Sequence, residues 1–373
     1  MPPVIIDVRN AEDTRDVVHR AAQALVEGKL VAFPTETVYG LAARALDEDM
    51  VRKLSEVKGR KTGHPLPVAI RSAAEARDYA PDLSPLARRL ARRCWPGPVT
   101  LVVTDSHPDS LVRQLPRSVR QAVSPYQTVG LRVPGHQVLL DVLQMIAGPL
   151  TLTSANRTGQ PDPRTAEEVY EALGDDVDMI LDDGPSRFGQ PSSVVRVHEN
   201  RFEVLRSGVV PEQALERLSR LMILFVCTGN TCRSPMAELM MQKLLGQHLG
   251  CSPDEVENRG IVVASSGIAA MMGGRATEEA TEAMLESGLD LTNHETQPLT
   301  APLVQHADFI FTMTNAHRHA ILTQWPDAAE RTHLLTPDNS DVSDPIGGTI
   351  ESYRKCAAQI RTSLEARIEE LGL

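Results

Sequence analysis

Met222-Ile223-Leu224-Phe225-Val226 is an unbroken apolar run that leads directly into Cys227-Thr228-Gly229-Asn230-Thr231-Cys232-Arg233-Ser234-Pro235. Five apolar, partly β-branched residues without polar alternation predict a strand buried on both faces. Such a strand belongs inside a parallel sheet, and its C-terminal end is the edge where open α/β sheets hold ligands. Cys227 stands at that end. The residues after it are small, and Gly229 permits positive φ, so successive N–H groups can curl inward as an anion nest. A helix starting near Arg233-Ser234-Pro235 adds its positive end to the same hollow.

Downstream, helical spacing over 235–245 and 277–287 alternates with strand patterns over 261–265 and 308–312, before a long terminal helix over 352–371. That alternation predicts an open parallel sheet with helices on both faces. Upstream, residues 201–208 read as a last strand and turn, and Pro211 to Leu218 as a short amphipathic helix opened by proline. A buried strand directly after a surface helix marks the start of a new domain. The expected organisation is a first domain over 1–210, a helical linker over 211–221 and a second domain over 222–373. Strands near 29–33, 99–103 and 129–133, separated by many Pro and Gly, predict a mixed α/β fold on a twisted sheet for the first.

A length of 373 residues exceeds one comfortable core, which agrees with two domains. The net charge of -11 argues against a general clamp for nucleic-acid backbones. Five scattered cysteines make no disulfide framework and point to a reducing compartment, where a thiol serves as a reagent. No apolar run reaches the length of a membrane span, and the N-terminal residues lack a signal-peptide pattern, so a cytoplasmic protein without membrane association is expected.

The loop after the buried strand carries a definite chemistry. The donors of the nest and Arg233 stabilise the thiolate of Cys227. Arg233 offers a planar fork to two phosphate oxygens, a geometry that Lys lacks. Cys227 would attack phosphorus to form a phosphocysteine while the loop amides hold the equatorial oxygens. A general acid must protonate the leaving group and then activate water. Asp344, in Asp341-Val342-Ser343-Asp344-Pro345-Ile346-Gly347-Gly348, is the candidate, being part of the only Asp-Pro pair in this half. The plain competing reading makes Cys227 a small core residue at an accidental spacing from Arg233. The preceding strand, the following helix, Ser234 and the Asp-Pro loop speak against it.

With those residues in place, 222–373 resembles the low-molecular-weight protein-tyrosine-phosphatase family along its whole length. The resemblance puts the nucleophile on Cys227, the phosphate-binding arginine on Arg233, the general acid on Asp344 and the loop-shaping residues on Asn230 and Ser234. It also places Cys232 on a second loop cysteine that forms a reversible disulfide with the nucleophile; read alone, Cys232 is a small residue in a tight turn. Tyrosine-specific members usually carry an aliphatic residue where Thr231 stands. Bacterial members with Thr there are protein arginine phosphatases, so a phosphoprotein substrate with phosphoarginine favoured over phosphotyrosine is expected. Ile346-Gly347-Gly348 also offers little aromatic wall for a phenyl ring. Arsenate reduction on this fold relays through mid-domain cysteines, and 260–355 contains none.

Three polar clusters mark the first half: Phe33-Pro34-Thr35-Glu36-Thr37-Val38-Tyr39-Gly40-Leu41, Lys58-Gly59-Arg60-Lys61-Thr62-Gly63-His64, and Thr151-Leu152-Thr153-Ser154-Ala155-Asn156. Cations with hydroxyl and amide donors suit a polyanion such as a nucleoside triphosphate, although the second cluster alone also reads as a solvated loop. It is no Walker loop, because Arg60 and not glycine precedes Lys61.

Residues 12–210 resemble the YrdC-type L-threonylcarbamoyl-AMP synthases through those runs, Trp95-Pro96-Gly97-Pro98, Leu131-Arg132-Val133-Pro134, Pro191-Ser192-Ser193-Val194-Val195 and Leu205-Arg206-Ser207-Gly208. The resemblance implies condensation of threonine, bicarbonate and ATP, with Mg2+ on the triphosphate, toward threonylcarbamoyladenosine in tRNA. It places Thr35 and Ser192 on threonine, and Lys58, Arg60, Ser154, Asn156 and Arg206 on ATP, with Lys58 and Arg60 at the phosphates. Partners would be tRNA or the proteins of the later threonylcarbamoyl transfer. The sequence departs from the family pattern at Ala69, Pro191, Ser193 and Ser207. Trp95 reads as a core plug. The alternative is an RNA-binding or regulatory first half without synthase activity, joined to a generic protein-tyrosine phosphatase. With Phe, Trp and Tyr at only 3% of the chain, stacking platforms for RNA are scarce.

Overall fold

The computed structural model describes residues 2–59 and 63–371. It divides into two compact units, one ending at Leu218 and the other beginning at Ser219.

The first unit is built on a ten-stranded mixed sheet. Its spatial order is Val4–Asp7, Met179–Asp182, Val31–Phe33, Gly40–Arg44, Leu150–Ser154, Val68–Ala69, Thr128–Arg132, Val99–Thr104, Ser193–His198 and Arg201–Arg206. Alternation along a strand feeds two separate cores. Ala32, Leu41 and Ala43 enter one, while Val31, Phe33 and Ala42 enter the other. The second of these is closed by the helix Thr14–Val26, whose Val17, Val18, Ala21, Ala22 and Leu25 form one buried stripe. Asp13 starts that helix by accepting the Arg15 N–H, and Gly28 leaves it at φ 75°. Trp95 is indeed a core plug: it is buried, and its indole N–H donates to the Val99 carbonyl at 2.7 Å. Within 211–221, Glu212–Ser219 is helical, and Leu215 is fully buried in the core of this first unit.

The second unit holds four parallel strands in the order Ile261–Gly267, Leu221–Cys227, Phe309–Thr312 and Thr332–Leu334. The apolar run quoted first is therefore an inner strand, paired on both edges. Its odd residues, Ile223, Phe225 and Cys227, face the helices Arg233–Leu249 and Ile350–Leu371. Its even residues, Leu224 and Val226, face a smaller cluster with Val304 and Ile321 from Ala301–His306 and Asn315–Gln324. Both faces are covered, which is why the run shows no polar alternation. Expected element ends move by one to a few residues, as fraying termini do. Among the described residues, no helix is long and apolar enough to cross a membrane.

Candidate active sites

In the second unit the inner strand delivers Cys227 to the start of a tight loop, almost wholly buried at 1% exposure. The Asn230 N–H donates toward Cys227 Sγ at 3.2 Å, and the Ser234 hydroxyl lies 3.0 Å from the same sulfur. Asn230, and not Gly229, takes the left-handed conformation, with φ 56°. The sequence reading assigned that freedom to the wrong residue. Asparagine tolerates this region because its side chain is satisfied locally. Its amide donates to Ser234 Oγ at 3.0 Å and Ser265 Oγ at 2.8 Å, and its Oδ1 accepts the Gln297 N–H at 2.9 Å. His294 Nε2 lies 2.9 Å from the Asn230 carbonyl. The loop conformation is therefore fixed from several sides before any ligand arrives.

Gly267 closes against this loop. A Cβ there would lie 2.6 Å from the Thr228 carbonyl oxygen and 2.8 Å from the Asn230 nitrogen, so only glycine permits the approach. The next residues, Ile268 and Ala269, donate their N–H groups to the carbonyls of Cys227 and Thr228. The Thr231 carbonyl accepts from the Thr277 N–H at 2.9 Å.

Arg233, at 3% exposure, extends across the loop. Its Nη2 donates to Asp344 Oδ2 at 2.5 Å and its Nη1 to the Val342 carbonyl at 3.4 Å. Its Nε is buried and has no hydrogen-bond partner. A buried guanidinium donor without an acceptor, beside the Asn230 N–H that points at Cys227 Sγ, is the electrostatic complement of a bound oxyanion. Asp344 is held in reach by its loop: Ser343 N–H donates to Gln359 Oε1, and the Val342 N–H to the Met313 carbonyl. Burial pushes the Cys232 thiol up, with Cys227 as a second cause. Burial also raises Glu238, which accepts the Ser265 hydroxyl at 2.5 Å.

The structure thus gathers Cys227, Asn230, Cys232, Arg233, Ser234 and Asp344 around one hollow, while Thr228, Gly229 and Thr231 complete the loop. Sequence reading missed Ser265, Gln297, His294, Glu238 and His317. Glu238 sits one turn into the helix after the loop and the other four lie 31 or more residues from it, and nothing in their local pattern separates them from ordinary polar residues.

The first unit encloses a cavity of about 210 Å³, small beside the roughly 300–1,000 Å³ of drug-sized ligand sites. Thr35, Ser154, Ser192 and Arg206 all line it, with Thr37, Thr100 and Arg132. Arg206 fixes Ser192 by donating Nη2 to its carbonyl at 2.8 Å and to its hydroxyl at 3.1 Å. Ser192 Oγ and Thr100 Oγ1 are 3.2 Å apart. Thr35 Oγ1 donates to the Val38 carbonyl at 2.6 Å. Lys58 and Asn156 do not line the cavity but are bonded to Ser154, which does. The buried Lys58 ammonium donates to the Ser154 carbonyl at 2.8 Å and to Asn156 Oδ1 at 2.7 Å, which ties the helix end at Val57 to the polar turn. Arg60 lies outside the described residues. Arg132, in the Leu131-Arg132-Val133-Pro134 run, is a buried wall residue. Its Nη2 donates to Glu36 Oε1 at 2.7 Å and to Thr37 Oγ1 at 3.0 Å, and Glu36 Oε2 accepts the Gly135 N–H at 2.9 Å. A lone Arg closing the strand Thr128–Arg132 amid apolar neighbours was the available signal, because a buried guanidinium requires a partner. Among the described residues no group of three or more His, Cys, Asp or Glu side chains gathers at metal-binding distance.

Comparison with known proteins agrees with this division. The Sua5/YciO/YrdC family model, described as telomere recombination, matches residues 23–208, and that of low molecular weight phosphotyrosine protein phosphatase matches residues 222–372. The chain is similar to a threonylcarbamoyl-AMP synthase of Pyrococcus abyssi, 38% identical over 215 residues, which are 58% of this chain and 60% of that protein. It therefore spans less than two thirds of that relative. It is also similar to a protein-arginine-phosphatase of Bacillus subtilis, 37% identical over 154 residues, 40% of this chain and 93% of that one. Among solved structures, P. abyssi Sua5 complexed with L-threonine aligns over 70% of this chain and 92% of its own, at TM-score 0.51 and 24% identity, a likeness of fold.

Proposed function

The chain belongs to two families at once, Sua5/YciO/YrdC through residues 23–208 and the low molecular weight phosphatases through residues 222–372, and from that premise we propose a bifunctional enzyme. The first unit forms L-threonylcarbamoyl-AMP and pyrophosphate from threonine, bicarbonate and ATP, a product used in tRNA threonylcarbamoyladenosine formation. The second dephosphorylates phosphoproteins, phosphoarginine in preference to phosphotyrosine.

The observation that carries the phosphatase reading is the buried, partnerless Nε of Arg233 beside Cys227 and within one side chain of Asp344. In the first step Cys227 Sγ forms a bond to phosphorus while the bond from phosphorus to the leaving group breaks, and the Asp344 carboxyl gives its proton to that group. In the second, water attacks the phosphocysteine, Asp344 accepts its proton, and the thiolate departs from phosphate. Arg233 and the loop N–H groups hold the charge that spreads over the equatorial oxygens. Thr231 supports phosphoarginine, as does the similarity to a protein-arginine-phosphatase.

The small cavity lined by hydroxyls and two arginines supports threonine as the occupant near Thr35 and Ser192. Arg132 and Arg206 supply positive charge for its carboxylate and for the forming carboxyl adduct. ATP would lie toward Ser154, Asn156 and Arg206, with Lys58 and Arg60 serving its phosphates. Magnesium then enters with the triphosphate as part of the substrate. Partners are tRNA or the proteins of the later transfer. The test is pyrophosphate release by the full chain, which must require threonine, bicarbonate and ATP together. Release that ignores threonine counts against the synthase reading.

A further inference from the structure

The phosphate loop has one polar contact that neither phosphate binding nor the two-step chemistry uses. Thr228, directly after the nucleophile, is exposed where Cys227 is buried, so its side chain is open to solvent beside the nucleophile. Its hydroxyl is not free to rotate at will. His317 Nε2 lies 2.9 Å from Thr228 Oγ1. His317 is itself 7% exposed and comes from the first turn of Asn315–Gln324, where Thr314 accepts its N–H at 3.2 Å. The same turn grips the acid loop, because the Asn315 N–H donates to Asp341 Oδ1 at 2.7 Å.

The protonation state of His317 follows from its surroundings. Nδ1 is buried with no partner. A buried N–H lacking an acceptor is rarer and costlier than a bare lone pair, so the proton sits on Nε2. Burial, and then the charge of Arg233, push His317 down to about 4, which keeps the ring neutral in the ordinary range. The Nε2–H therefore donates to Thr228 Oγ1. The hydroxyl oxygen keeps a second lone pair with which to accept.

We infer that Thr228 is a specificity-determining residue whose hydroxyl oxygen accepts an N–H of a cationic guanidinium leaving group, and that His317 is its positioning residue. A guanidinium presents several N–H donors around the bond to phosphorus, whereas a phenyl ring presents none there. This rests on the phosphoarginine reading given above, and it involves residues other than Thr231.

The test is kcat/KM of the full chain on phosphoarginine and phosphotyrosine peptides, with Thr228→Val, Thr228→Ser, His317→Leu and His317→Gln. Thr228→Val and His317→Leu should lose roughly tenfold more kcat/KM on phosphoarginine than on phosphotyrosine, the loss expected for one hydrogen bond to a charged partner, with far-ultraviolet circular dichroism reporting an intact fold. Thr228→Ser keeps the hydroxyl and His317→Gln keeps a donor, so both should retain most of the preference. Equal losses on the two substrates, or no loss on phosphoarginine in a wild-type protein that prefers it, overturns the inference alone. A wild type without phosphoarginine activity overturns the substrate reading, and this inference with it.

Discussion

Asp344 Oδ2 lies 2.5 Å from Arg233 Nη2, so the proposed general acid and the proposed phosphate-binding arginine form an ion pair with one another. The arginine side chain is almost fully buried and the aspartate is about half exposed, so Asp344 is the partner with room to move. Ligand binding must therefore compete with this ion pair, and two measurable consequences follow from that competition.

Asp344→Asn removes the competing charge and the transferable proton together. Oxyanion inhibitors such as vanadate should bind more tightly than to the wild type, while turnover on aryl phosphates should fall by about 10²–10⁴-fold, the usual contribution of general acid–base catalysis. Steady-state kinetics with vanadate as inhibitor separates the two effects. Weaker vanadate binding in the variant would show that the pair does not oppose the ligand.

Gly267→Ala places a methyl group against the Thr228 carbonyl and the Asn230 nitrogen, both backbone atoms that cannot rotate aside. The loop must shift, at a cost of about 1–3 kcal/mol. Phosphatase activity should drop with little change in the far-ultraviolet circular dichroism. Full activity in the variant would mean that the loop is less constrained than its hydrogen bonds indicate.

In the first unit, Glu36→Ala leaves the buried Arg132 guanidinium without its counter-charge. Breaking one side of a buried pair costs about 3–5 kcal/mol, and because Arg132 lines the cavity, threonine-dependent activity should fall as well. Denaturant unfolding gives the first quantity. A loss below about 1 kcal/mol would show that water reaches the pair.

His317 supplies a dependence on pH. Its folded-state value, near 4, lies below the ordinary histidine value of 6.5. Between those two values the unfolded chain binds the proton and the folded chain does not, so stability falls as pH drops through this window. His317→Gln should flatten the slope of unfolding free energy against pH between about 6.5 and 4. Glu238 acts with the opposite sign, because burial raises it, but it is common to both proteins and cancels in the comparison. An unchanged slope would place His317 in a wetter setting.

Much of this was legible in the sequence because single residue types carried the chemistry locally. The run from Met222 to Val226 carries the pattern of a doubly covered strand, and Cys227, Arg233 and Ser234 follow it at fixed spacing. Asp344 was found through its proline, although its bond to Arg233 depends on how Val342 docks on Met313. What stayed hidden was long-range support. Ser265, Gln297 and His294 hold Asn230 from 35 to 67 residues away, and no periodicity announces them. The left-handed position fell on Asn230 because that side chain network outweighs the freedom of the neighbouring Gly229. Likewise, the helix Glu212–Ser219 reads as a surface connector from its charges, yet Leu215 is its one fully buried residue and anchors it in the first core.

The most direct test of two independent chemistries in one chain is to assay both on full-length Cys227→Ser. The expected result is that phosphate release from phosphoarginine peptides disappears while threonine- and bicarbonate-dependent pyrophosphate release continues at the wild-type rate. Phosphate release that survives the substitution, or a wild type that forms no threonine-dependent pyrophosphate, would contradict the account.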